Sequence, residues 1–195
     1  MASKLTELAK RKTALDLEFL SRESYAWFNN EIKKLGSPAD IAKEIVSERN
    51  RKGSFEAGKL YHFFYDPLTK DRLQYYDRFP LIIALSLGSD GFIGLNLHYL
   101  PPMRRAMFLD KLIDFEIDTS SNKQRRLAIT YEILSATKSL KEFKPCIKYY
   151  LKSQVKSRIV PIKTQEWETA LFLPTALFVG ATNSKVYSES IKRIR

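Results

Sequence analysis

Two apolar segments joined by a glycine-bearing turn constrain the fold of this chain more than any other feature. Phe79–Leu87 and Phe92–His98 are mostly apolar, and the sequence Gly88-Ser89-Asp90-Gly91 separates them. Glycine and aspartate between two such runs are typical of a tight hairpin connection. The two segments are therefore predicted to form neighbouring antiparallel strands, with the first of them largely buried.

A helical pattern precedes these strands. Apolar residues recur at steps of three and four from Tyr25 to Leu35, as they do on one face of a helix. Ser37-Pro38-Ala39-Asp40 then has the hydroxyl cap, the first-turn proline and the acidic residue that are typical of a second helix start. Residues 1–57 are therefore predicted to form a helical N-terminal arm.

The chain from residue 58 onward mixes predicted strands and helices. Further elements are predicted at Lys59–Tyr65, Ser157–Lys163, from Pro101 onward, over 121–139, at Trp167 and over Asn183–Arg195. The predicted fold is α+β, with a core domain over residues 58–195 that carries a basic C-terminal region. Its sheet is expected to be small, mainly antiparallel, and interrupted and flanked by helices. The late strand could close this sheet into a small barrel.

Positive charge is concentrated in the last part of the chain. Residues 119–195 carry 15 Lys and Arg against 5 Asp and Glu, so this segment holds ten of the eleven net positive charges. Charge confined to one region focuses the electrostatic potential on one surface, which attracts nucleic acid or an acidic protein face. A polyanionic partner is therefore expected.

Lysines of this region follow one another at helical spacing. Steps of three or four residues separate them, so a helix would place them in one row. They are Lys138, Lys141, Lys144, Lys148, Lys152 and Lys156. With Pro145 as the first residue of a helix, Lys144 to Lys156 are predicted to form a basic ridge. Phosphate contacts of such a ridge would give salt-sensitive binding without base preference, and a solvated lysine-rich face is the alternative.

The residue types that carry most enzyme chemistry form no catalytic pattern. His62 and His98 lie in apolar strands and are expected to be structural, and the single cysteine, Cys146, is expected to be a buried thiol. The sequence has no zinc spacing, Walker loop or nucleophile elbow, so we predict no catalytic residue, no metal and no cofactor. A nuclease is the enzymatic alternative, and it would require magnesium-dependent cleavage that depends on Asp66 or Asp71.

Aromatic residues cluster around the first predicted strand of the core domain. Tyr61, Phe63, Tyr65, Tyr75 and Tyr76 could stack on unpaired bases. Alternating aromatic residues in a strand are also typical of packing within a sheet. Tyr75 and Tyr76, which follow a turn, are the better candidates for exposure to a partner.

The sequence has no features of a membrane or secreted protein. No apolar run is long enough to span a membrane, and the N-terminal residues lack the apolar stretch of a secretory signal. A single cysteine excludes an internal disulfide, which fits a reducing compartment. We expect a soluble protein that is made inside a cell and does not contact membranes.

Several segments resemble a protein family of T4-like tailed bacteriophages. They are FFYDPLTKDRLQYYDRFPLI (63–82), GFIGLNLHYLPP (91–102), FKPCIKYYLKSQVKSRIV (143–160) and EWETALFLPT (166–175). On these segments the chain resembles the DNA end protector proteins, which are minor virion components that bind the end of the packaged genome and shield it from host exonuclease. The resemblance implies a virion protein made in the host cytoplasm, with a double-stranded DNA end and other virion proteins as partners. It supplies no catalytic residue and no DNA-binding motif.

Two functions follow from these observations. One is a non-enzymatic virion protein that binds a DNA end without sequence preference and protects it from exonuclease. The other is a structural head–tail connector, neck, tail or baseplate component that docks its basic face on an acidic virion protein, with a homo-oligomer in a symmetric assembly as one arrangement. Either partner is predicted to contact Lys144, Lys148, Lys152, Lys156, Arg158, Lys123, Arg125, Arg126, Lys192, Arg193 and Arg195.

Overall fold

The computed structural model describes residues 4–18, 20–47, 53–108 and 141–194, and over these residues the chain has the predicted α+β fold. Its helices are α1 (Lys4–Ala14), α2 (Arg22–Ile32), α3 (Pro38–Ser47), α4 (102–108), α5 (Trp167–Phe172) and α6 (Asn183–Ile194). Its strands are β1 (Leu60–His62), β2 (Tyr76–Asp77), β3 (Leu81–Leu87), β4 (Gly91–Asn96), β5 (Ile147–Leu151), β6 (Val160–Ile162) and β7 (Phe178–Val179). The helix predicted at 121–139 lies outside the described residues.

Five strands form one antiparallel sheet in the order β5-β4-β3-β1-β6. The predicted hairpin lies at its centre, where β3 and β4 pair with Ile83 opposite Leu95, and the Gly88 amide donates to the Gly91 carbonyl across the turn. The predicted late strand is β6, and it forms one edge, the position that suits Pro161 because proline has no amide hydrogen to donate. Strand β5 forms the other edge. Among the strands of the described residues, β5 and β6 do not pair, so this sheet is open and the late strand does not close it into a barrel.

Strand β3 is buried on both faces because its alternate side chains enter two different clusters. Leu81, Ile83 and Leu85 belong to the main apolar core, which the helices cover. Ile82 and Ala84 point to the opposite face and pack in an aromatic cluster. Its aromatic members are Tyr61, Phe63, Tyr65, Phe92 and Tyr150. Sheet packing is therefore the structural role of Tyr61, Phe63 and Tyr65.

The helix starts predicted from local sequence are present at the N-terminus. Helix α3 begins at Pro38, and the Ser37 hydroxyl accepts a hydrogen bond from the Asp40 amide at 3.3 Å, which is the predicted cap. Leu5 and Leu8 of α1 and Ile41 of α3 are buried in the same core as the sheet. The N-terminal helices thus contribute directly to the main core of the protein.

A buried carboxylate joins the N-terminal helices to α5. Glu168 of α5 accepts hydrogen bonds from the Ser24 hydroxyl at 2.6 Å and from the Leu20 amide at 2.8 Å, and its other oxygen pairs with Lys12 at 2.9 Å. Three donors around one carboxylate compensate for its removal from water.

Among the helices of the described ranges, none combines the length and apolar character that crossing a membrane requires.

Candidate nucleic-acid interface

The predicted basic helix is absent, and a strand takes its place. Lys141–Cys146 forms a short 3-10 segment, Ile147–Leu151 is β5, and Lys152–Gln154 is one more 3-10 turn. The segment IKYYL is rich in residues that favour strands, and β4 offers an edge along which all five residues of β5 have a register partner. Long-range pairing with β4 therefore outweighs the helical spacing of the lysines, and the prediction of a helical ridge is wrong.

The strand separates lysines that a helix would have aligned. Four residues span about 13 Å in a strand against about 6 Å in a helix. Lys144 is exposed in the 3-10 segment, and Lys148 is half-buried in β5. Lys152 and Lys156 are exposed beyond the end of β5. The lysines therefore follow the sheet edge and do not form one continuous row.

Two of these lysines bind backbone carbonyls. The Lys152 ammonium donates to the Gly88 carbonyl at 2.6 Å and to the Ser89 carbonyl at 3.1 Å, so it braces the β3–β4 turn. The Lys156 ammonium donates to the Ser153 carbonyl at 2.8 Å. Both keep their positive charge at the surface, because a carbonyl is neutral and does not cancel it.

The C-terminal helix brings further cations to the same region. Helix α6 packs against the 3-10 segment that carries Lys144, and Lys192 and Arg193 are exposed in its last turn. Glu189, one turn earlier, accepts a hydrogen bond from the Tyr75 hydroxyl at 2.9 Å. The positive charge of Arg193 contributes to a lowered pKa of Lys148, after the larger effect of burial, which places the two cations near each other.

The other predicted contact residues are not part of this group. Lys123, Arg125, Arg126 and Arg195 lie outside the described residues. Arg158 is exposed in the loop before β6.

Some cations of the N-terminal helices have carboxylate partners, whereas Lys10 and Lys43 of the same helices have none among the described residues. Arg11 and Lys34 pair with Glu31, and Lys12 pairs with Glu168. No carboxylate of the described residues pairs with the following cations: Lys144, Lys148, Lys152, Lys156, Lys192 and Arg193. We call this set the unpaired cations. Their charge is available to an external anion.

A cavity of about 290 Å³ opens beside Lys148. The chain segments that line it are the turn after β1, strand β2 and strand β5. Tyrosine is its main lining residue, at Tyr65, Tyr75, Tyr76, Tyr99, Tyr149 and Tyr150, and Lys148 supplies a positive charge. We call this cavity the tyrosine pocket. The predicted exposure of Tyr75 and Tyr76 is confirmed in part, since both are half-buried and line the pocket.

Lys148 occupies an unusual position for a lysine. Its ammonium nitrogen lies 4.2 Å from the centroid of the Tyr99 ring, within the range of a cation–π interaction. Burial lowers the pKa of Lys148 first, and the nearby charge of Arg193 lowers it further. An anion bound at this position would stabilise the charged form of Lys148 and so would counteract both effects on its pKa.

The floor of the tyrosine pocket rests on a buried polar network. Asp77 accepts hydrogen bonds from His98 Nδ1 at 2.7 Å, from Asn96 Nδ2 at 2.9 Å and from the Phe79 amide at 3.1 Å. Burial alone would raise the pKa of Asp77, but His98 and the other donors lower it overall, so the carboxyl is ionised. The network fixes β2 and the turn after β4 relative to each other.

The two histidines are structural, as predicted. Burial lowers the pKa of His98, so its neutral ring donates from Nδ1 to Asp77 and accepts from the Thr175 hydroxyl at Nε2. His62 donates from Nδ1 to the Pro80 carbonyl at 3.0 Å, and burial lowers its pKa to about 4. The thiol of Cys146 is buried, also as predicted, and burial raises its pKa to about 12.

Asp66, one of the aspartates named for the nuclease alternative, does not converge with the nearby Asp77. Asp66 pairs with Lys70 at 3.2 Å, whereas Asp77 faces inward to His98. Within the described part of the chain, no three His, Cys, Asp or Glu side chains form a group that could hold a metal ion.

Sequence reasoning missed Tyr99, Tyr149 and Tyr150 as candidate site residues. These tyrosines and Lys148 come together because β5 pairs with β4 and Tyr99 lies in the 97–99 turn directly after β4. One signal in the sequence could have indicated this strand. In a strand, Ile147 and Tyr149 would lie on one face, and Lys148 and Tyr150 would lie on the other.

A family model described as phage T4 terminal DNA protecting protein matches residues 5–193 of the chain. No curated protein and no solved structure matches it.

Proposed function

Because the chain belongs to the family of phage T4 terminal DNA protecting proteins, we propose that it binds the end of double-stranded phage DNA and protects that end from host exonuclease. In this proposal the protein is a minor component of the virion, synthesised in the host cytoplasm. It acts by occupying the DNA end and catalyses no reaction on it.

The unpaired cations carry this proposal. Lysine and arginine side chains that lack carboxylate partners can exchange water and counterions for phosphate oxygens without first breaking an ion pair. Exposed Lys144, Lys192 and Arg193 project from two segments that pack on each other, beside half-buried Lys148. This is a surface that can follow a phosphate backbone.

Binding is proposed to be independent of base sequence. Lysine is a point charge that binds phosphate oxygens, which carry no sequence information. About six phosphate contacts predict that affinity falls by roughly three orders of magnitude between 50 and 200 mM salt. A protector of genome ends benefits from such binding because it needs to recognise an end and not a particular base pair.

A structural role at the head–tail junction uses the same surface. The unpaired cations could dock on an acidic protein of the connector, neck, tail or baseplate, and oligomerisation could place several copies around one DNA end. This alternative predicts weak DNA binding, because an acidic protein surface would then be the preferred partner.

Competition between linear and closed DNA tests the proposal. Purified protein would be bound to a labelled linear duplex and challenged with an unlabelled linear fragment or with a covalently closed circle of the same sequence. We expect the linear competitor to be more effective per base pair. Charge reversal by Lys144→Glu and Lys192→Glu should weaken binding, whereas the control pair Lys10→Glu and Lys43→Glu, exposed on α1 and α3, should not.

Two results would contradict the proposal. Equal competition by linear and closed DNA would show that the protein does not recognise DNA ends. Equal effects of the two charge-reversed pairs would show that net charge alone, and not this surface, determines binding.

A further inference from the structure

The size of the tyrosine pocket limits what can enter it. Its volume of about 290 Å³ lies at the small end of the range for ligand sites. A duplex cannot enter, since its major groove alone is about 12 Å wide. A single nucleotide that is separated from its partner strand matches the aromatic and cationic lining. Such a nucleotide occurs where the end of a duplex frays or carries an overhang.

The tyrosine rings suit a nucleobase. Tyr149 is 60% exposed at the rim, and half-buried Tyr75 and Tyr76 line the wall formed by the β2 segment. Aromatic rings stack on any base, because every base has a π face, and the hydroxyl groups can bond to base edges. Leu68 and Leu73, both exposed, add apolar surface beside these rings.

Lys148 suits the phosphate of that nucleotide. Its ammonium is half-buried, lies over Tyr99 and has no carboxylate partner among the described residues. A cation held in this way gains more from a phosphate than one already solvated or paired. Arg193 lies near enough to add to the positive potential.

The carboxylates near the pocket are held by partners other than Lys148. Asp77, the acidic lining residue, is buried and already accepts three hydrogen bonds. Glu189 accepts from the Tyr75 hydroxyl and stands one helical turn before Arg193. Neither carboxylate pairs with Lys148.

We propose that the tyrosine pocket binds one unpaired nucleotide at the end of the DNA, with the base against the tyrosine rings and a phosphate at Lys148. This inference rests on the proposed function and explains how the protein distinguishes an end from internal duplex. The unpaired cations hold the adjoining duplex, and the pocket holds the terminal nucleotide.

Three DNA probes with the same duplex stem test this site. The first carries one unpaired 2-aminopurine nucleotide at an otherwise blunt end, the second is blunt, and the third is a covalently closed duplex circle that contains the same sequence. We expect the first probe to bind about tenfold more tightly than the closed one, which is within the range of one stacked base. Its 2-aminopurine fluorescence should be quenched on binding.

Substitutions in the pocket separate this site from the cationic surface. Tyr149→Ser should remove most of the preference for the unpaired nucleotide and the quenching, while binding to the closed probe stays within about twofold. Lys148→Met also removes one of the unpaired cations, so it should weaken binding to the closed probe, but it should weaken binding to the first probe by a larger factor and so reduce the preference. Lys148→Arg keeps the charge and should retain the preference. Tyr25→Ser, an exposed tyrosine of α2, is the control and should change neither quantity.

Failure of this inference differs from failure of the proposed function. If Tyr149→Ser and Lys148→Met keep both the preference and the quenching, the pocket is not the nucleotide site, although end binding stands. If the wild-type protein binds none of the probes, the proposed function itself is wrong. Thermal unfolding of each variant confirms that a loss of binding is not a loss of folding.

Discussion

The Lys148 ammonium lies 4.2 Å from the centre of the Tyr99 ring, in a half-buried position and without a carboxylate partner in the described part of the chain. A cation in such a place pays a desolvation cost that the ring offsets only in part. The protein keeps this charge beside a cavity of tyrosine side chains. That combination places the candidate site on the edge strand β5.

Binding of DNA should become weaker at alkaline pH through Lys148. Burial and Arg193 lower the pKa of this lysine below 10.5, and a bound phosphate would raise it again. Binding then takes up a proton once the pH exceeds the lowered pKa, so affinity falls as pH rises toward 10.5. Calorimetry in buffers of different ionisation enthalpy measures the uptake. Lys148→Arg should abolish it, and an unchanged uptake in that variant would assign the proton to another group.

The salt dependence of DNA binding should show how many cations contact phosphate groups. Each of Lys144→Gln and Lys192→Gln is expected to reduce the slope of log affinity against log salt by about one unit. The matched control is Lys43→Gln on α3, whose side chain is equally exposed and far from the proposed surface in sequence. Titrations at several salt concentrations give the slopes. Equal slopes for all variants would exclude these lysines as phosphate contacts.

Gly180 should be required for the wall of the tyrosine pocket. Its φ of +87° is strained for other residues, and a Cβ there would lie 2.6 Å from the Gln74 carbonyl oxygen. Gly180→Ala is expected to lower the free energy of unfolding by about 2 kcal/mol or more and to displace the β2–β7 pair that carries Tyr76.

Gly88→Ala is the matched control for this substitution. A Cβ at Gly88 meets the Gly91 carbonyl oxygen only at 3.4 Å, so its cost should stay below about 1 kcal/mol. Urea denaturation measures both variants. Equal costs would mean that the conformation of Gly180 does not constrain the fold.

Acid should destabilise the fold through His62. Burial lowers its pKa from 6.5 to about 4, so the folded state holds the ring neutral while the unfolded state takes up a proton below pH 6.5. This contribution is fully present above pH 6.5 and is lost as the pH falls to about 4, for a total of about 3 kcal/mol. The glutamine of His62→Gln can still donate to the Pro80 carbonyl, and this variant should lose less of its free energy of unfolding as the pH falls. Denaturation at a series of pH values tests this, and identical profiles would contradict it.

Local signals in the sequence were sufficient for much of the fold. The turn at Gly88–Gly91 predicts the β3–β4 hairpin, and Ser37 with Pro38 predicts the start of α3, because each depends on a few adjacent residues. Strand β5 was missed for the opposite reason. Its lysines follow a helical spacing, whereas its structure depends on pairing with β4, more than fifty residues earlier.

The candidate site was predictable only in part. The charge of the C-terminal region indicated a polyanion, and Tyr75 and Tyr76 were recognised as candidates for exposure. The pocket itself combines Tyr65, Tyr99 and Tyr149 from distant segments, and no spacing in the sequence shows that they meet. The lack of a carboxylate partner for Lys148 among the described residues is likewise a property of the folded chain.

Protection of a linear duplex from an exonuclease tests the central claim most directly. A linear fragment would be incubated with wild-type protein, with the Lys144→Glu and Lys192→Glu double variant, or with the Lys10→Glu and Lys43→Glu control, before the nuclease is added at moderate salt. We predict that the wild type and the control delay digestion from the ends and that the double variant does not. Digestion at the same rate with and without wild-type protein would contradict the assignment of this chain as a protector of DNA ends.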